Sequence, residues 1–103
     1  MKNTYKVIWS EEALNNLKEI IDYLQEKWTE KEIKIFAQQL EKLINTIINN
    51  PELFPKSLKS DSVRKAVLTK QTTVYYQVNK DSIYLITIFV NKKDSKKLND
   101  IIK

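Results

Sequence analysis

Between Ser62 and Lys93 the chain reads SVRKAVLTKQTTVYYQVNKDSIYLITIFVNKK. Three runs rich in Val, Ile, Thr, Tyr and Phe are parted only by Lys70-Gln71 and Asn79-Lys80-Asp81, and no other feature constrains the fold as much. Breaks that short join antiparallel strands, because a parallel pair needs a crossover of about a dozen residues or more. The stretch predicts a three-stranded meander over residues 62–69, 72–79 and 82–90. The chain has no glycine, so type I′ and II′ hairpin turns are hard to make. Asn79 and Asp81 are the residues expected to take left-handed geometry at the second turn.

Alternation assigns faces. In the middle run Val74, Tyr76 and Val78 are expected to face a core, with Thr73, Tyr75 and Gln77 outward. In the first run the two faces read Val63, Lys65, Val67 and Arg64, Ala66, Leu68. The valines favour the first set for the core. Lys65 is then a misfit that must snorkel at the sheet edge, unless the register runs the other way. The third run is apolar on both faces, as in a central strand covered on both sides or capped by a partner.

The rest of the chain supplies a cover for one face. Thr4 to Trp9 (TYKVIW) reads as a first strand. Ser10 follows as an N-cap, with Glu11 and Glu12 in the first turn, where the helix dipole favours acids. Ala13, Leu14, Leu17, Ile20, Ile21, Leu24 and Trp28 recur at helical spacing, with Lys18, Glu19, Asp22, Gln25 and Glu26 on the wet side. Thr29-Glu30-Lys31-Glu32 is a capping box that opens a second helix. Its stripe is Ile33, Phe36, Ala37, Leu40, Leu43, Ile44, Ile47 and Ile48, and Asn50-Pro51 ends it. The helices meet near Trp28-Thr29 as a hairpin, and neither buries its stripe without the sheet. Pro51 to Asp61 reads as a loop, with Leu53, Phe54 and Leu58 tucked against the body. The tail Lys92 to Lys103 carries Leu98, Ile101 and Ile102 among lysines and is a candidate short C-terminal helix. The fold class is α+β, in the order βααβββ: a helical hairpin on one face of a mainly antiparallel sheet.

A chain of 103 residues fits one domain, residues 1–103. It has neither Cys nor His. That removes disulfides, thiolate metal sites, the commonest general base near neutral pH and the commonest metal ligand, so neither cofactor nor metal is expected. No apolar run is long enough to span a bilayer or to form a signal-peptide core, and a cytoplasmic location is the expectation. The formal net charge is +5. Lysine supplies nearly all of the positive charge, and Arg64 is the only arginine. The excess reflects either a Lys-, Asn- and Ile-rich genome or an anionic partner, nucleic acid or an acidic protein segment. A lone arginine stands out because only its planar fork binds bidentately.

Val7-Ile8-Trp9-Ser10 leading to Ala13, the Asn50-Pro51 stop, Val63-Arg64, Tyr76-Gln77-Val78, and Lys92-Lys93 followed by Lys97-Leu98 occur in an order and spacing that together resemble the RelE/ParE superfamily of toxins from type II toxin–antitoxin systems. The resemblance covers nearly the whole chain. It implies a small α/β toxin held inactive by a cognate antitoxin, small and acidic, that lays an extended or helical segment over its surface. It also implies one of two activities. RelE-like members cut messenger RNA on the ribosome, whereas ParE-like members poison DNA gyrase and are not nucleases.

The nuclease branch of that superfamily uses basic residues on three strands and a C-terminal tyrosine. Carried over position by position, the basic residues fall on Arg64, Ala66, Thr73 and Lys92, of which two keep a positive charge, and the tyrosine falls on Leu98. Cleaving RNA through its 2′-hydroxyl needs a base, an acid and cations around the phosphate. With no histidine, Tyr75 is the available substitute. The resemblance thus leans ParE-like, an inhibitor of an essential enzyme such as gyrase. The alternatives are a reduced-set, ribosome-dependent ribonuclease built on Arg64, Lys92 and Tyr75, and an inactive domain that only binds antitoxin. Arg64, Lys92, Lys93, Lys96 and Lys97 are the expected partner-binding cations. Blander readings stand beside these: Arg64 as a surface arginine paired with a helix acid, Tyr75 as cross-strand packing, the lysines as a solvated strand end. The antitoxin is expected on the apolar outer positions of the third run and on the helix hairpin.

Overall fold

The computed structural model describes residues 5–27, 29–58, 60–70 and 72–90. Its elements are β1 (Lys6–Trp9), α1 (Glu11–Lys27), α2 (Glu30–Asn49), β2 (Lys56–Ser57), β3 (Ser60–Val67), β4 (Thr72–Val78) and β5 (Ser82–Val90). The strands form one sheet in the order β1-β5-β4-β3-β2. β1 runs parallel to β5, and every other pair is antiparallel. The fold is α+β, with the predicted hairpin of helices on one face of a mainly antiparallel sheet.

Both helices start where their caps stand. The Ser10 hydroxyl accepts the Ala13 N–H at 2.9 Å, which satisfies a donor that α1 cannot satisfy internally. At α2 the Glu32 carboxylate accepts from the Thr29 N–H at 2.8 Å and the Thr29 hydroxyl at 2.7 Å. These two donors hold the Glu32 carboxyl below the usual carboxylate range. α2 ends at Asn49, directly before Asn50-Pro51. Ala13, Ile20 and Leu24 of α1 and Phe36, Leu40 and Ile47 of α2 are buried against Ala66, Val74, Tyr76, Ile83, Leu85 and Ile88 of the sheet. Leu14, at the end of the predicted stripe, is instead 52% exposed.

Four local expectations are corrected. First, Val63, Lys65 and Val67 do not face the core. Arg64 pairs with Tyr76 and Ala66 with Val74, and cross-strand partners share a face, so Arg64 and Ala66 lie on the helix side. Ala66, fully buried, fits beneath the helices, where an inward Lys65 would have to shed its hydration. Second, residues 51–61 are not all loop: β2 lies within them and β3 begins at Ser60. Third, of the apolar residues in that stretch only Phe54 packs on the core; Leu53 is 64% and Leu58 96% exposed. Fourth, no described residue has positive φ. The β4–β5 turn closes with Asn79 N–H donating to Ser82 C=O at 2.8 Å, and it needs no left-handed residue.

Candidate functional site

The helices cover one face of the sheet, and no described element covers the other. Pairing fixes what that face presents. Val67 stands beside Thr73 and Thr73 beside Phe89; Lys65 stands beside Tyr75 and Tyr75 beside Thr87. Further along, Gln77 meets Tyr84 and Tyr84 meets Ile8. Phe89 is 55% exposed, and Ile8 and Val67 are exposed as well. Phe89 and Val67 flank Thr73 on this face, exposed apolar groups of the kind that interaction sites use.

At its centre is a groove of about 560 Å³. Val63 and Lys65 of β3, Tyr75 of β4 and Ile86, Thr87 and Phe89 of β5 form its floor, and Ser57, Leu58 and Ser60 form one rim. Its ionisable lining is Lys65 and Tyr75, with no carboxylate among the described residues. It therefore suits an apolar segment that places an acid near Lys65.

A bulge shapes the floor. Tyr75 pairs with Thr87 and Tyr76 with Leu85, which leaves Ile86 without an opposite residue. Ile86 and Thr87 consequently both line the groove, a re-aiming that bulges produce near functional sites. Ser10, the cap of α1, and Asn16 within α1 hold the bulge. The Ser10 hydroxyl donates to Ile86 C=O at 2.6 Å. The Asn16 amide oxygen accepts from the Thr87 hydroxyl at 2.7 Å and from the Ile88 N–H at 3.0 Å. Asn16→Ala leaves the Ile88 N–H without a partner, and we expect a loss of about 1–3 kcal/mol. Urea denaturation measures that loss, with faster amide exchange at Ile88 as the local signature.

Of the predicted set, the structure does not bring Arg64 and Tyr75 together. Tyr75 lies in the groove beside Lys65, whereas Arg64 projects on the helix side. Its Nη1 donates to Phe54 C=O at 2.7 Å and to Glu52 C=O at 3.4 Å. Arg64 therefore meets loop carbonyls, not the helix acid of the blander reading. Lys92, Lys93, Lys96 and Lys97 lie outside the described residues, as do Trp28, Leu98 and the C-terminal helix expected with them. Sequence reasoning missed Lys65 and Phe89 as groove residues. The advance signals were that Lys65 broke an apolar alternation and that the third run, which holds Phe89, is apolar on both faces. Nothing in the run ITIF marks the bulge, and nothing near Asn16 marks its long-range bonds.

Tyr76 anchors the helix side. Its ring is buried, meets Phe54 edge-on with centroids 6.3 Å apart, and its hydroxyl donates to Pro51 C=O at 2.8 Å. Burial pushes its pKa from the usual 10 up to about 12, against a smaller lowering by Arg64. The unfolded chain thus loses this proton before the folded one. The stability contribution is complete below pH 10 and is lost as pH rises towards about 12. Across that window stability should fall as pH rises, by at most about 1.4 kcal/mol per pH unit from this group, and the fall should vanish in Tyr76→Phe. Urea midpoints at pH 9.5 and 11.5 test it.

A second recess, of about 310 Å³, opens on the helix hairpin. Trp9, Leu17, Ile21, Phe36, Ala37, Leu40 and Ile44 line it, with Glu41 as its one charged residue. No described helix is long and apolar enough to cross a membrane.

Comparison with known proteins places this geometry in a family. The model of the family described as "ParE toxin of type II toxin-antitoxin system, parDE" matches residues 7–95. Among solved structures, the chromosomal ParDE TA system from P. aeruginosa superposes with a TM-score of 0.71 at 13% identity, covering 86% of this chain and 98% of that one. The YoeB dimer from Staphylococcus aureus gives a TM-score of 0.58 at 18% identity over 82% of this chain and 94% of that one. The E. coli DinJ-YafQ toxin-antitoxin complex gives 0.59 at 13% identity over 84% and 92%. No curated protein matches the chain. At these identities the structural matches carry the fold alone.

Proposed function

The chain belongs to the ParE toxin family of type II toxin–antitoxin systems, and from that premise we propose that residues 1–103 are one ParE-like toxin domain in the cytoplasm. It inhibits an essential enzyme, DNA gyrase being the family expectation, and a cognate antitoxin neutralises it. The face of the sheet that no described element covers is the working surface and the seat of the partner.

One observation carries the choice of branch. Arg64 and Tyr75 stand on opposite faces of the sheet, and the Arg64 Nη1 is engaged by two backbone carbonyls. Phosphodiester cleavage needs a base and a cation converging on one phosphate. Among the described residues the groove offers a tyrosine and a lysine, with neither histidine nor carboxylate. A surface lined by Tyr75, Phe89, Val63 and Ile86 is better suited to gripping a protein segment than to moving protons. The ribonuclease reading keeps one point in its favour, the register pair of Tyr75 and Lys65.

Purified protein assayed side by side on gyrase supercoiling and on a translating extract separates the two. We expect supercoiling to be inhibited and messages to stay intact. Tyr75→Phe, which removes only the hydroxyl, should leave activity within about twofold, whereas loss of a general base or acid would lower it about 10²–10⁴-fold. Cut messages together with a large Tyr75→Phe effect would reverse the assignment.

A further inference from the structure

Arg64 is the chain's only arginine, and the structure gives it a task that its charge does not suggest. The segment 51–55 leaves α2, rounds the edge of β3 and delivers β2 and Leu58 to the rim of the groove. Four of its five carbonyls are held by the neighbouring strands. Pro51 C=O takes the Tyr76 hydroxyl, and Glu52 and Phe54 C=O take the Arg64 guanidinium. Pro55 C=O takes the Lys65 N–H at 3.0 Å. The Phe54 ring, seated on Tyr76, pins the same segment from its side-chain end. Beyond the clamp the described segment continues as the two-residue β2, whose register shifts between Lys56 and Ser57. So short a strand does not hold a loop by itself.

We infer that Arg64 is a positioning residue: lying on the helix side, it fixes segment 51–55 and thereby sets the Ser57–Leu58 rim of the groove on the opposite face. Bonds from a guanidinium to carbonyls are charge-assisted and stronger than neutral ones, and one planar head can reach two carbonyls two residues apart. Arg64 then shapes the partner's seat without touching the partner. This rests on the reading of that face as the working surface.

The test pairs Arg64→Ala with Phe54→Ala, which loosens the same segment and leaves the arginine charge in place. The first readout, made on the free protein, is amide hydrogen exchange at Lys65 and at residues 56–58. Each variant should exchange there at least tenfold faster than the parent, with Val74 and Leu85 unchanged. The second readout is the inducer level that halves growth rate at matched amounts of folded protein. Both single variants should need more inducer, and the double variant no more than the stronger single one. Unchanged exchange in Arg64→Ala overturns the inference. A double variant that loses the product of the two single effects also overturns it, because Arg64 would then act on the partner directly. If the parent chain does not slow growth, the toxin reading fails, and the exchange measurement alone decides the clamp. If Arg64→Ala does not fold, Arg64→Met keeps the packing of the stem, drops both bonds and gives the same readouts.

Discussion

Replacing Phe89 by Asp is expected to abolish growth arrest on induction while leaving the fold intact. Phe89 is more than half exposed on the face that no described element covers, so little of the core depends on it. Its ring nonetheless forms part of the groove floor beside Ile86, Thr87 and Tyr75. An aromatic at the centre of an interface is where binding energy concentrates, and its loss typically costs about 2 kcal/mol or more, roughly 30-fold in affinity. A carboxylate there would in addition be desolvated by any apolar occupant. The check is growth on induction, at equal soluble protein and with an unchanged circular dichroism spectrum. Full arrest by F89D would mean that the working surface lies elsewhere.

On the opposite face the same kind of truncation should act on stability instead. Phe36 is fully buried between the hairpin and the sheet, and it also lines the recess between Trp9 and Ile44. Phe36→Ala removes the ring from a packed core, and the expected loss is about 3–5 kcal/mol. Against a total of about 5–15 kcal/mol for a domain of this size, that leaves a marginally folded chain. Urea unfolding measures it directly. A loss below about 1 kcal/mol would mean that the neighbouring side chains collapse into the space, or that the recess is already loosely packed. The contrast between Phe89→Asp and Phe36→Ala separates surface from scaffold: one should lose function with the fold kept, the other should lose the fold.

The candidate site was less legible than the fold, and Arg64 and Tyr75 show why. Residue type drew attention to both: a single arginine among lysines, and a tyrosine on the polar side of an alternating strand. Type says nothing about which face of the neighbouring strand lies alongside. Tyr75 was placed correctly because its own run alternates cleanly. Arg64 was misplaced because its run carries valines on one side and a small residue and a leucine on the other. A one-residue change of register exchanges those two sets. Lys65 held the information needed, since a lysine in an apolar alternation argues against that alternation. The bulge at Ile86 left no trace, because it depends on Ser10 and Asn16, more than 70 positions away along the chain.

Local chemistry settled what is local. Ser10 and Thr29 as caps, the Asn50-Pro51 stop, the apolar spacing of both helices and the short breaks between three β-rich runs act within a few residues. They determined the element order and the hairpin of helices on a meander, and with them the family resemblance. The face that Arg64 occupies, the bulge that turns Ile86 and Thr87 into one groove, and the parallel seat of β1 beside β5 were decided only in three dimensions. Each depends on partners far apart in sequence, and burying Ala66 beneath the helices while Lys65 stays in water is a choice between whole sheet registers that no single segment can make.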